Sequence, residues 1–418
     1  MSTPRPTVPV IRLDPDGHDH HGEAAVLRAA GPVVQVILPG EIRAWAVTTH
    51  ALVADLVTHT DVSKDSRRWT AMRNGDIPDD WPLRGMFDVN NMVTRDGEDH
   101  RRLRKPIADR FTPRRAKELT PRIERIVATL LDTLPALAGE DGVLDLRRHY
   151  ALPVPMQVIC EIVGVPDGSR PYLRQLVDSI FRTDTTPDEA QRTERERVVL
   201  LDDLITERST EPCHDLTSDL LALHAADPAL LSREELRDTL WLLLTAGHET
   251  TLGLICNAIR ALLTHPDQLH VALTGDQDTI WARVVEETLR QNSSIGNFPA
   301  YYPLTDLTLG EVTIPVGEAI LAPYSAVGRD PAHHGPHADE FDITRTKPAA
   351  HLAFGGGPHR CLGAHLARAE TTAALRGLFT RYPDLTLAAP ADQLVPVASL
   401  FSNTVAALPV RLSASRER

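Results

Sequence analysis

The chemistry this chain can do centres on one sulfur. Cys361 stands inside HLAFGGGPHRCLGAHLARAE, the run from His351 to Glu370. A thiolate is both a metal ligand and a nucleophile, and nearby positive charge favours it over the thiol. A helix N-terminus beside Cys361 would supply that charge through its unpaired N–H groups. Gly355, Gly356 and Gly357 permit positive φ and a close approach of backbone to a flat ligand, while Gly363 clears space beside the sulfur. From these residues alone the sulfur could bind a metal, act as a nucleophile or lie inert in a glycine-rich turn. His351, His359, Cys361 and His365 would also make a mixed set that suits zinc.

Upstream lies a second group, Ala246, Gly247, His248, Glu249, Thr250 and Thr251. Thr250 follows Ala246 by four residues, so its hydroxyl can take the Ala246 carbonyl and open the helical ladder to water. Gly247 removes a side chain where such a helix could pass over a flat cofactor. Read alone, the group is equally an ordinary polar interruption of a buried helix. Glu287 and Arg290 are three apart on a predicted helix and can meet on one face, as solvated surface pairs do. His100 and Arg104 are one helical turn apart, which suits two donors converging on a carboxylate.

The loop spells Phe354-Gly355-x-Gly357-x-His359-x-Cys361-x-Gly363, and it resembles the cysteine-ligand loop of the cytochrome P-450 family at every defining position. The resemblance implies haem b with the Cys361 thiolate as proximal iron ligand, pushing electron density through iron to promote O–O cleavage. Phe354 and Gly363 would lie against that haem. The Ala246 to Thr251 segment resembles the family's oxygen-binding distal helix. Ala246 and Gly247 would flank the cofactor there, Thr250 would hydrogen-bond the iron-bound oxygen, and Glu249 would relay protons from solvent. His100, Arg104 and His359 match residues that anchor haem propionates. Relatives usually carry an arginine five residues before the acid at Asp306, but this chain has Tyr301 there, which can donate a hydrogen bond and brings no charge. Glu287, Arg290 and Arg345 resemble a buried structural triad.

The implied reaction inserts one oxygen atom of O2 into a C–H bond and reduces the other to water. No flavin or iron–sulfur module adjoins, so electrons would come from NAD(P)H through a ferredoxin and a ferredoxin reductase. Arg101, Arg102, Arg104, Lys105, Arg110, Arg114, Arg115 and Lys117, with Asp109 the only acid among them, could form the docking face for an acidic ferredoxin. The family's placement puts Trp81 to Met92, Val177 to Phe181, Leu242 to Ala246, Ile295 to Pro299 and Leu400 to Asn403 around the substrate. Their apolar character favours a bulky apolar substrate, macrolide- or steroid-like. Oxidative coupling of aromatic rings on a cyclic peptide is an alternative within the family, and a non-catalytic haem sensor or electron carrier is one from another class.

Positioning these residues falls mainly to helices. Ile123, Ile126, Val127, Leu130 and Leu131 recur at helical spacing between Pro121 and Leu137. A core-spanning helix is predicted from Ser232 to Leu263, with a capping box of Ser232 and Glu235 and a stop at Pro266. Strand signals are short: Val33 to Leu38, Ala44 to Thr48, Leu307 to Ile314 with a turn at Gly310, and Ala319 to Ala322. The expected fold is mainly α with a minor β region, the P-450 fold, over residues 1–418 as a single domain. A net charge of −13 argues against nucleic acid as partner. Four scattered cysteines suit a reducing cytoplasm, and no run approaches the roughly 18 apolar residues of a membrane helix. A cytoplasmic monomer is expected, with His18, His20 and His21 in a disordered polar tail.

Overall fold

The computed structural model describes residues 8–180, 186–346 and 350–412. Its axis is the helix Arg233–Thr264. Ser232 and Glu235 close the predicted capping box: the Ser232 hydroxyl accepts the Glu235 N–H at 3.1 Å, and the Glu235 carboxylate accepts the Ser232 N–H at 2.9 Å. The helix ends before Pro266, which opens the next one. Leucines on nearly every side of it are buried, so it runs through the core and not along the surface. The helices Pro153–Val163, Ile280–Gln291 and Ala364–Arg381 pack against it.

The helix expected from Pro121 starts earlier and spans Pro113–Leu137. Thr112 caps it through the Arg115 N–H, and Pro113 occupies the first turn, where its missing donor costs nothing. Pro121 and Pro135 are absorbed inside it. Its buried stripe includes Ile123, Ile126, Val127 and Leu131, packed against Ala364–Arg381.

A six-stranded sheet flanks the helices in the order Val10–Arg12, Val33–Leu38, Ile42–Val47, Ile320–Ala322, Phe298–Pro303, Val62–Ser63. Leu307–Leu309 and Val312–Ile314 form a separate hairpin around Gly310, whose φ is 60°. The strand Phe298–Pro303 carries two prolines, which ordinarily argue against a central strand. It is accommodated because the register shifts between Phe298 and Tyr301, so Pro299 lies in the irregular stretch. Among the described residues no helix is long and apolar enough to cross a membrane.

Among the described residues three buried clusters fill the interior, and one corrects an expectation about the pocket. Trp69, Trp81, Phe87, Tyr302 and Phe401 interlock, with the Trp81 and Phe87 rings 5.1 Å apart and Phe87 and Phe401 6.2 Å apart. Leu83 and Leu400 are buried in the same cluster. These residues therefore serve packing beneath the sheet, and their large apolar surface is spent there. Phe181 lies outside the described residues. His20 and His21 likewise belong to the helix His20–Ala30 and not to a tail: His20 Nε2 lies 3.0 Å from the carbonyls of Ser399 and Ser402, and His21 bonds Asn292.

Candidate active site

The loop holding Cys361 is built by backbone bonds. The Gly355 N–H donates to Leu352 O at 2.7 Å, and the Cys361 N–H donates to Phe354 O at 2.9 Å. Gly355 and Gly357 adopt φ of 64° and 60°, the left-handed region. Gly356 has φ of −152°, so its reason differs from the one expected: a Cβ there would lie 2.6 Å from Val57 Cγ2. The Phe354 ring lies under the Arg368 guanidinium at 4.6 Å, and Arg368 is held by Glu286. His351 bonds the same carboxylate at 3.1 Å, and the two together hold Glu286 at about 2 despite its burial.

Cys361 has accessible surface yet lies deep, and accessible surface is the property that matters for a group reaching the sulfur. Surrounding protein pushes its thiol pKa up, while the Gly363 N–H and the charges of Arg104, Arg368 and Arg360 oppose that. The helix after it begins at Ala364, as the sequence implied. A Cβ on Gly363 would meet nothing within 4 Å. The zinc set does not assemble. His351 is engaged with Glu286, His359 with Asp96, and His365 is exposed; among the described residues no three-ligand cluster includes Cys361.

Residues fit for anionic groups stand next to this loop. His100 and Arg104 lie on the helix Gly97–Ala108. The Arg104 guanidinium donates to Arg360 O at 2.7 Å, which ties that helix to the cysteine loop. His100 is 4% exposed, its ring centroid is 4.3 Å from that of His359, and its Nε2 has no partner. Burial and the charges of His359 and Arg104 drop its pKa to about 4. A buried imidazole nitrogen without a partner is costly unless a ligand supplies one. The donor set of His100, His359 and Arg104 beside a cysteine thus fits haem, whose propionates are carboxylates.

Sequence reasoning passed over the acid that organises this corner. Asp96 occupies the N-cap position of Gly97–Ala108, but its side chain caps nothing. It accepts instead from His359 Nε2 at 3.1 Å, from the Ser63 hydroxyl and from the Lys64 N–H. Burial would raise it, and these donors outweigh burial and hold it at about 2. Tyr301 is buried, with its hydroxyl bonded to that of Tyr324 and its pKa pushed up by burial to about 12.

On the long helix, the Thr250 hydroxyl donates to Ala246 O at 2.7 Å. The expected opening of the ladder is not seen, since the helix continues unbroken through this turn. Ala246 is exposed and Thr250 half-buried, whereas Thr245, His248 and Glu249 are buried. Gly247 serves a purpose other than the one expected. Its Cβ would lie 3.0 Å from Ile159 on Pro153–Val163, so the missing side chain lets two helices approach. Glu249 faces Arg147 at 3.4 Å.

Glu287, Arg290 and Arg345 come together. Arg290 donates to both Glu287 oxygens at 2.6 and 2.8 Å, Arg345 Nε to one of them at 3.0 Å, and the Asp342 N–H to that same oxygen. The basic run from Arg101 to Lys117 is less free than its sequence implied. Arg102 pairs with Glu235, Arg110 with Asp219, and Arg114 and Arg115 with Glu118. Glu235, Asp219 and Glu118 offset much of its charge, leaving Arg101, Lys105 and Lys117 exposed, as Arg360 is on the cysteine loop.

Comparison with known proteins agrees with this geometry. The Cytochrome P450 family profile matches residues 279–387. The chain is 36% identical to 2-hydroxy-5-methyl-1-naphthoate 7-hydroxylase of Streptomyces carzinostaticus, covering 96% of this chain and 97% of that one. It is 38% identical to vitamin D(3) 25-hydroxylase of Pseudonocardia autotrophica, covering 94% and 93%. The testosterone-bound structure of CYP154C4 from Streptomyces sp. ATCC 11861 superposes with a TM-score of 0.93 at 40% identity, covering 98% and 99%.

Proposed function

The chain belongs to the cytochrome P450 family and is a haem-dependent monooxygenase, and from that premise we propose that it hydroxylates a bulky apolar molecule of steroid or macrolide type. The observation that carries the substrate class is the character of the accessible side chains in the pocket segments. Val89, Leu242, Ala246, Ile295 and Phe298 retain surface and are apolar, and among the described residues of these segments the accessible charged and amide side chains, Arg84, Asp88 and Asn90, are confined to Trp81 to Met92. An apolar lining of this kind binds by excluding water from a large hydrocarbon surface. The vitamin D(3) hydroxylase and the testosterone-bound relative support the same class. Steroids, macrolides and cyclic dipeptides should be titrated against the holoprotein, with the Soret shift read for binding and product mass for reaction. Gain of one oxygen supports hydroxylation, and loss of two hydrogens would replace this reading with oxidative coupling.

Haem, when bound, supplies activation of O2 and insertion of one oxygen atom into the C–H bond. The chain's own residues do the rest, within one domain. Cys361 holds the iron, and the Gly363 N–H stabilises negative charge on the sulfur. His100, Arg104 and His359 hold the propionates. Thr250 offers a hydroxyl on the accessible face of the long helix, and Glu249, buried against Arg147, passes protons to it. In Thr250→Ala, product per NAD(P)H consumed should fall on the order of 10- to 100-fold, with the lost electrons appearing as hydrogen peroxide, while Thr250→Ser should retain most coupling. Unchanged coupling in the alanine variant would remove Thr250 from proton delivery.

Electrons come from a redox partner, and an acidic ferredoxin served by its reductase suits the exposed Arg101, Lys105 and Arg360. The reduction rate should then drop severalfold as ionic strength rises from about 0.05 to 0.2 M, because screening shortens the range of steering. Lys105→Glu should lower the rate at low salt and flatten the salt dependence. A rate indifferent to salt argues against docking on this face.

A further inference from the structure

Lys64 is 4% exposed, on the segment that follows the edge strand Val62–Ser63. Its Nζ donates to Pro299 O at 3.0 Å and stands 4.1 Å from the Tyr301 ring centroid and 4.3 Å from that of Phe298. An ammonium carries three donors and a full charge. One carbonyl and two ring faces leave most of that unmet, and among the described residues no carboxylate lies within ion-pair distance of it. Asp96 is near enough to favour the cation, but its oxygens are occupied by His359, by the Ser63 hydroxyl and by the N–H of Lys64 itself. Burial brings the ammonium pKa down to about 7, so the charge persists only at a cost that an anion would remove.

The position of this cation says which anion. Through Asp96 it adjoins His359, whose ring lies against that of His100 with its orphaned Nε2. Through the Tyr301 ring it adjoins Tyr324, whose hydroxyl would be 3.3 Å from a Cβ on Gly355 of the cysteine loop. The ammonium therefore adjoins the cysteine loop at two points, at His359 through Asp96 and at Gly355 through the two tyrosines. We propose that Lys64 binds a haem propionate and supplies there the positive charge that Tyr301 lacks. This rests on the haem-thiolate reading above. Tyr301 acts in this arrangement as a positioning residue, its ring face holding the ammonium and its hydroxyl turned away to Tyr324.

The test is haem release from the holoprotein to excess apomyoglobin, followed at the Soret band, for wild type, Lys64→Met and Lys64→Arg. Methionine keeps the volume of the buried stem without charge, and arginine keeps the charge. Lys64→Met should release haem about tenfold faster, the loss of one charge-assisted contact, and Lys64→Arg should stay within about threefold of wild type. Each protein is then loaded with haem whose propionates are methyl esters. Wild type and Lys64→Met should release that haem at the same rate, because the carboxylate partner is gone. Equal acceleration of both haems in Lys64→Met would show that Lys64 only props the Pro299 strand and would overturn the proposal. No acceleration with native haem overturns it as well. The reduced, carbon monoxide-bound spectrum of the wild type separates the two levels: a missing thiolate band refutes the haem-thiolate reading, whereas a normal band with unchanged release refutes Lys64 alone.

Discussion

Cys361→Ala should lose hydroxylation to background and lose the red-shifted Soret band of the reduced, carbon monoxide-bound protein. Among the described residues no other side chain near the loop can replace the sulfur. His351 is bound to Glu286, His359 to Asp96, and His365 points to solvent. The Gly363 N–H and the arginines Arg104, Arg360 and Arg368 surround the sulfur position with positive potential, which stabilises a thiolate and does nothing for a methyl group. The proposed propionate donors do not depend on the cysteine, so the variant should still take up some haem, with a spectrum lacking the thiolate signature. Retention of that signature in Cys361→Ala would mean another cysteine serves, and the candidates are poor. Cys160 and Cys256 are buried with thiol pKa values raised to about 12, and Cys213 is exposed on a distant segment.

Glu287→Ala should be the most destabilising single change in the scaffold, by about 3–5 kcal/mol, because it strands buried charge. The Glu287 carboxylate accepts from Arg290, Arg345 and the Asp342 N–H, and the Arg290 side chain is fully buried. Arg290 also donates to the carbonyls of Gly328, Ala338 and Glu340, so it cannot swing out to water without breaking that segment as well. Glu287→Gln keeps an acceptor and should cost less. Urea unfolding of the three proteins measures the order. A Glu287→Ala protein as stable as wild type would reduce the triad to an incidental contact.

Legibility in the sequence divides by the range of the interaction. The capping box at Ser232, the bond from Thr250 to Ala246 and the pair of Glu287 with Arg290 are local, fixed by spacing along a helix, and all are present as spacing implies. The cysteine loop was legible for the same reason, since Gly355 and Gly357 need their φ values whatever surrounds them. What could not be read depends on partners far away in sequence. Gly356 answers to Val57, Gly247 to Ile159, and the arginines after Arg101 to Glu235 and Asp219. The aromatic residues around Trp81 carry no mark that tells a core from a pocket lining; only the neighbours Trp69, Tyr302 and Phe401 decide it. The strand Phe298–Pro303 is hidden by its prolines, and with it the surroundings of Lys64.

The packing of Gly356 and Gly357 against Val57 also sets an order of events during synthesis. A nascent chain presents Val57 early and the glycines near its end, and the backbone of Gly357 can settle against the Val57 carbonyl only when both are available. His100 and Arg104 belong to the early part too, so one half of the proposed cradle for the cofactor is made before the other half emerges. Capture of the cofactor at the proposed site is then a closing step and not a seed, and a ribosome stalled between His100 and His359 carries a chain with one of the two imidazoles and without the Cys361 sulfur.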